Sequence, residues 1–407
     1  MSSFFGPRIR ERSMKVQESL ASMTESAEEQ LGGIRVTKIF FATEDRSRHR
    51  FGIKVDAIRD AQLRLVRLSS LFQALLPLLG AISLVVSLLV GGYLTLQHQI
   101  TLGNFVAITL YLRIIMGPLQ QIGNVINMMQ RSRASLERVN RLLSEVPDVS
   151  ETEDAQPLNH LGEIRIRHLS FAYPGAKDEA LQDIDLKIKA GKTVGIVGKT
   201  GSGKTTLVKL LLRVYEPPQG AILFDGTDIQ DITLESLRTQ LAYVPQDGFL
   251  FSTTIHDNIA FSNREAPLSD VVRGAKQAMI YDNIVQFPEG FETRLGERGI
   301  TLSGGQRQRT SLARGLIKDS PVLILDDSMS AVDAVTEKRI LHNLRKARQN
   351  KTTLIISHRI SVVQHADEII VLDKGRIVQR GTHEQLLAAG GVYASLHRIQ
   401  EEGLNHV

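Results

Sequence analysis

The residues with the clearest chemical purpose are Gly198, Lys199, Thr200, Gly201, Ser202, Gly203, Lys204 and Thr205. They fit G-x-x-x-x-G-K-[ST], a phosphate-binding loop. Glycines let backbone N–H groups approach phosphate oxygens, and a helix N-terminus favours their negative charge. Lys204 can reach β- and γ-phosphates, and the Thr205 hydroxyl can bind Mg2+. Thr206 follows at the start of the helix and joins the nucleotide-binding set. The apolar run Thr193–Val197 predicts a buried strand before the loop, and Thr206–Leu212 predicts a helix with an apolar face after it. That setting separates the motif from a glycine-rich turn without a ligand.

Two further stations carry chemistry. Val322–Leu325 is an apolar run ending in Asp326 and Asp327. Strand ends in such sheets are where ligands bind. Asp326 would hold Mg2+, directly or through water, and Asp327 is placed to orient a water near the γ-phosphate. Leu302, Ser303, Gly304, Gly305 and Gln306 open a helix predicted over Gln306–Leu316. Two glycines there expose backbone donors and a positive dipole end to an anion. A second phosphate-binding helix terminus in one domain needs a reason.

Leu302–Gln306, with the phosphate loop and Asp326, resembles the ABC-transporter ATPase family. There the signature helix closes on ATP held by a second subunit, so Ser303–Gln306 would bind the partner's nucleotide. The resemblance implies roles for other positions. Tyr173 would stack on adenine, for which base–aromatic stacking of about 1–3 kcal/mol is adequate. Gln246, in Tyr243-Val244-Pro245-Gln246-Asp247, would meet Mg2+ and signal to the membrane part. Ser330–Asp333 would cross the dimer interface, and His358 would contact the γ-phosphate. Most active members carry Glu at the position of Asp327. The shorter side chain withdraws the carboxylate by roughly an ångström, a displacement able to cost about 10²-fold in rate. The expectation is a heterodimer in which the partner bears Glu there. Asp327 acting through one water in a homodimer is the alternative.

These stations need a positioning framework. From Glu163 onward, short β-rich runs alternate with helices, as in an α/β domain. Strands are predicted at 163–168, 184–188, 193–197, 221–224, 241–244, 322–325, 353–357 and 368–372. A largely helical insert is expected over 255–316, and a final helix over 392–400. Pro147–Pro157 is acidic, and 151–162 is expected to be a linker between a partial membrane domain (1–150) and the ATPase domain (163–400).

Residues 8–67 are charged and helical in pattern, either cytoplasmic helices or a solvated pair. From Ser69 to Leu112 there is no Asp, Glu, Lys or Arg. Leu71–Leu96 is long enough for a bilayer, which takes about 20 apolar residues. Membrane helices are therefore expected near 69–97 and 102–130, joined by a polar turn at Gln97–Gln99. A buried soluble hairpin is the alternative. Arg64 and Arg67 flank one end and Arg131 and Arg133 the other, which places both ends in the cytoplasm. Arg113 would either meet an anionic amphiphile or pair with an acid on another helix.

This half resembles the exporter branch of the same family: multidrug-resistance-like type IV half-transporters with fused domains. Gly33–Lys38 is similar to the start of the fifth membrane helix, Gly117–Leu119 to a turn of the sixth, and 7–25 to a cytoplasmic loop with a short coupling helix. Such half-transporters have six membrane helices, so four preceding ones are expected to be missing here.

The resemblance implies an α/β P-loop NTPase fold with a helical subdomain, preceded by a partial all-α transmembrane domain. It implies ATP and Mg2+, a second half-transporter subunit, a lipid bilayer, and an amphiphilic substrate moved across the cell membrane by a multi-pass protein. A soluble ABC ATPase and a non-hydrolysing nucleotide-binding regulator are the rival classes. The chain has 407 residues, which suits about two or three units. Its net charge of +5 is diffuse, and no nucleic-acid partner is expected. Without cysteine, disulfide frameworks, thiol nucleophiles and Cys-based metal sites are excluded. The early charges in Met1–Arg12 argue against a signal peptide.

Overall fold

A computed structural model describes residues 2–40, 44–158, 162–296 and 302–405. The chain divides into two compact units, Met1–Glu145 and Val146–Val407.

The first unit is helical: α1 (Ser2–Gly32), α2 (Ile34–Ile39), α3 (Glu44–Leu96) and α4 (Leu102–Leu143). The 53 residues of α3 rise about 80 Å, far more than the ~30 Å of bilayer hydrocarbon. The helix is accordingly charged up to Arg67 and apolar beyond it. Among the described residues, Pro77–Leu96 is long and apolar enough to cross a bilayer, and Leu102–Ile115 is a shorter apolar stretch. Pro77 and Pro118 lie inside α3 and α4. At the hairpin, Thr101 caps α4 by accepting from the Asn104 N–H at 3.2 Å. Gly91 permits close approach: a Cβ there would stand 2.7 Å from the Phe105 ring.

Several expectations change. There is no helix break between Arg67 and Ser69, because continuous backbone bonding carries α3 from its charged part into its apolar part. Gly117–Leu119 lie inside α4. Gly33 is the N-cap of the short α2, which Ile34–Lys38 begin, and 7–25 falls within the single helix α1. The side chain of Arg131 lies outside the described residues.

The second unit holds two sheets. One is antiparallel, in order β2-β1-β4-β5: β1 (Ile164–Phe171), β2 (Leu181–Ile188), β4 (Ile222–Phe224) and β5 (Thr227–Asp228). The other has order β10-β9-β3-β8-β7-β6: β3 (Thr193–Val197), β6 (Leu241–Val244), β7 (Val322–Asp326), β8 (Thr352–Ser357), β9 (Glu368–Asp373) and β10 (Arg376–Gly381). Its strands are parallel except for β10. Alternate residues of this sheet enter two cores. Val194, Ile196, Ile324 and Ile356 face one with the antiparallel sheet and α5 (Lys204–Leu211). Val197, Leu325, Ile355 and Val371 face the other with the helices. Burial on both faces explains the unbroken apolar runs seen in the sequence.

Strands β5 and β10 were not expected, since the first is two residues long and the second is a polar edge strand. The helical insert breaks into α7 (Ile255–Ile259), α8 (Leu268–Gln277), α9 (Tyr281–Ile284) and α10 (Gly304–Ile317). Glu151 of the expected linker and Ser150 just before it are tied to this unit: Arg213 Nη2 donates to Ser150 O at 2.9 Å, and the Leu234 N–H to Glu151 Oε1 at 2.6 Å. Residues 159–161 lie outside the described set.

Candidate nucleotide-binding site

Parallel register gathers the chemistry at one sheet edge. Val197 pairs with Ser357, and Asp326 with Ile356, so β3, β7 and β8 end side by side. The phosphate loop leaves β3 there. Gly201 and Gly203 have φ of +81° and +100°, backbone that other residues adopt only with strain. A Cβ at Gly203 would also stand 2.7 Å from Ala180 O. Lys204 donates to Gly198 O at 2.8 Å, Lys199 O at 2.9 Å and more weakly to Ser202 Oγ. Burial holds its ammonium below the usual lysine range, partly offset by Asp327 and Asp326.

Asp326 is buried at the end of β7. Thr205 Oγ1 and the Tyr243 hydroxyl each donate to it at 3.4 Å, one to each oxygen. Burial pushes its carboxyl above the usual range, while those two bonds pull it back. Asp327 adopts a left-handed backbone, φ 48°. Its carboxylate meets His358 Nδ1 at 2.7 Å and accepts from Ser357 Oγ at 3.4 Å. A carboxylate only accepts, so the proton in this bond belongs to Nδ1. Nε2 is then the other nitrogen available to a ligand.

Tyr173, Thr200–Thr206, Gln246, Asp326, Asp327 and His358 line one cavity of about 330 Å3. Tyr173 is held by its hydroxyl, 3.0 Å from Thr206 Oγ1, and by edge contact with Phe171 and Tyr215. Gly198 and Lys199 sit in the same loop through the Lys204 bonds. Ser303–Gln306 are not among the residues lining this cavity. They begin α10, where Ser303 and Gln306 form a reciprocal cap: the Gln306 N–H donates to Ser303 Oγ at 3.3 Å, and the Ser303 N–H to Gln306 Oε1 at 2.9 Å. The Gln306 side chain is thus occupied in its own helix.

The site suits a nucleotide with a hard cation. Thr205, Gln246 and Asp326 offer oxygen donors, which match Mg2+ chemistry. A Cβ at Gly201 would meet no other atom within 4 Å, so the loop is open on that side. Sequence reasoning missed Tyr243, Ser357 and Gln308. A hydroxyl on the apolar strand Leu241–Val244, and an amide on the buried face of α10, were the available signals.

A P-loop ATPase domain with a helical subdomain, in one chain with an apolar helical hairpin, defines a membrane-bound nucleotide-driven protein. Comparison with known proteins specifies which. Residues 181–330 match the family model "ABC transporter", and residues 1–119 match "ABC transporter transmembrane region". The probable multidrug resistance ABC transporter ATP-binding/permease protein YheI of Bacillus subtilis is 41% identical over 399 residues, covering 98% of this chain and 68% of the relative. The ATP-dependent lipid A-core flippase of Syntrophus aciditrophicus is 37% identical, covering 97% of this chain and 66% of the relative. A bacterial Atm1-family ABC exporter solved with ATP bound superposes with a TM-score of 0.86 at 32% identity, covering 98% of this chain and 70% of that one. The chain belongs to the ABC transporter family, in its exporter branch, and is a membrane protein with an ABC ATPase domain. It spans about two thirds of the length of these relatives.

Proposed function

We propose that this chain is an ATP-binding half of an exporter that couples ATP hydrolysis to movement of an amphiphile across the cell membrane. The observation that carries this reading is the single cavity joining the phosphate loop, Gln246, Asp326, Asp327 and His358. Thr205, Gln246 and Asp326 would hold Mg2+, which neutralises charge on the transferred phosphoryl group when bound. Lys204 and the loop amides bind phosphate oxygens. Tyr173 stacks on the base. Asp327 orients water, held by His358 and Ser357. Ser303–Gly305 serve a nucleotide on a second subunit, and Gln306 fixes their helix. The names of the relatives, one a probable multidrug resistance transporter and one a lipid A-core flippase, support an amphiphilic substrate.

The favoured partner is a different half-transporter with Glu at the position of Asp327. A homodimer remains the second reading, favoured by the 2.7 Å His358 contact, which holds the Asp327 carboxylate in the cavity. The membrane groove lined by Pro77, Gly80, Ala81, Ser83, Leu84, Leu112 and Arg113 is where an anionic group on a substrate, or an acid from another helix, would meet Arg113.

The test is ATP binding and turnover by the purified chain in lipid nanodiscs. Lys204→Ala is expected to weaken ATP binding ten- to hundredfold, the loss of about 1.5–3 kcal/mol of charged hydrogen bonding. Turnover by the chain alone is expected to be slow, and Asp327→Glu to raise it by about 10²-fold. Robust turnover of the unmodified chain as a homodimer would overturn the heterodimer reading. Absence of Lys204-dependent ATP binding would overturn the whole proposal.

A further inference from the structure

Gln308 lies in the second turn of α10 and is 8% exposed. Its amide joins two loops from different strands. Nε2 donates to Gln246 O at 3.3 Å and to Ser330 Oγ at 2.9 Å. Oε1 accepts from the Ala331 N–H at 2.8 Å. The amide orientation is fixed by its partners, since a carbonyl oxygen only accepts and a backbone N–H only donates. Both loops also rest directly on the same two turns of helix. A Cβ at Gly248 would stand 2.9 Å from Gln308 N, and one at Gly305 would stand 2.8 Å from Ala331 O.

We propose that Gln308 is a positioning residue that makes the Gln246–Gly248 loop, the Ser330–Ala331 loop and the first turn of α10 move as one body. Gln246 lines the nucleotide cavity, whereas Ser303–Gly305 begin the helix carrying Gln308. Through this joint, nucleotide contact at Gln246 reorients the helix terminus offered to a second subunit. The inference rests on the nucleotide reading above only for that last step. Packing alone would need bulk at position 308; the joint needs an amide. Met has similar length and no such donors. Glu has the same shape, but its carboxylate faces the Gln246 carbonyl and cannot donate to it.

The test is hydrogen exchange on the full chain in nanodiscs, without nucleotide and with Mg-ATP, alongside binding of a fluorescent ATP analogue. Without nucleotide, Gln308→Met is expected to raise exchange about tenfold in 246–249 and 329–332 together, with 198–206 unchanged. Gln308→Glu is expected to raise it at least as much. With Mg-ATP, the unmodified chain slows exchange in 302–306. Gln308→Met loses that response while keeping analogue affinity within about twofold. Unchanged exchange, loosening of one loop alone, a Glu variant indistinguishable from the unmodified chain, or a retained response at 302–306 would each overturn the proposal. If the unmodified chain binds no nucleotide, the functional reading fails, and the nucleotide-free comparison still decides the joint. If both Gln308 variants unfold, Ser330→Ala, at an exposed position, removes one bond of the three. It is then expected to loosen both loops two- to threefold, and no loosening would overturn the joint.

Discussion

Arg12 and Arg213 both donate to backbone carbonyls, one in each unit, in opposite settings. Arg12 Nη1 reaches Arg64 O at 2.7 Å on the surface of the helical unit. Arg213 is 1% exposed and donates to Ile229 O, Ile232 O and Ser150 O, with Glu216 as its counter-charge. The apolar residues differ in the same way. Leu89 and Leu96 are 70% and 83% exposed, while Ile196 and Leu325 are 0% exposed. The ATPase unit completes its core from its own strands and helices. The helical unit leaves its apolar face to surroundings that its own sequence does not supply. A rigid, self-contained unit can hold catalytic geometry; a unit finished by lipid can change its packing without unfolding.

The largest test of this contrast is solvent. Removing detergent or lipid is expected to aggregate the full chain, whereas residues 146–407 alone should remain monomeric and bind ATP, read by gel filtration and a fluorescent nucleotide. Failure of that fragment to fold would break the comparison. Next comes Arg213→Met, expected to cost about 3–5 kcal/mol in denaturant unfolding of the same fragment, because buried carbonyls and Glu216 lose their charged donor.

Asp326 gives a smaller, pH-dependent effect. Its folded-state carboxyl is raised by burial, so the folded chain binds this proton more tightly than the unfolded chain does. Its stabilising contribution is full below the ordinary carboxylate range and is lost as pH rises through the folded value. At neutral pH, Asp326→Asn should therefore raise the unfolding midpoint while abolishing Mg2+ binding. Mg2+ affinity of the unmodified fragment should begin to fall at a higher pH than an exposed carboxylate would give, in calorimetric titrations from about pH 8 to about pH 4.5. A lower midpoint for Asp326→Asn would contradict this. Smallest of all, Arg12→Ala is expected to change stability by under about 0.5 kcal/mol in detergent, the usual size of a surface substitution.

The phosphate loop was legible because it is contiguous and its demands are local: glycines where φ is positive, then a lysine and a threonine at the helix start. The α/β class followed from apolar runs of strand length, and the membrane region from a charge-free stretch ending at Arg113. Helix ends were read less well. Charge marks where a helix leaves lipid, but backbone bonding continues past it, as at Arg67 in α3. Edge strand β10 was missed because half of a polar alternation carries no strong core signal.

By itself, then, the sequence determined the chemistry of the loop, the acids at the end of β7 and the separation of an apolar region from an α/β one. Tertiary structure alone decided which distant groups meet: Tyr243 with Asp326, His358 with Asp327, and Gln308 with both Gln246 and Ala331. The reason is register. Parallel strands far apart in the chain align their ends to within one residue only after two-sided burial has fixed the sheet, and no local pattern records that alignment.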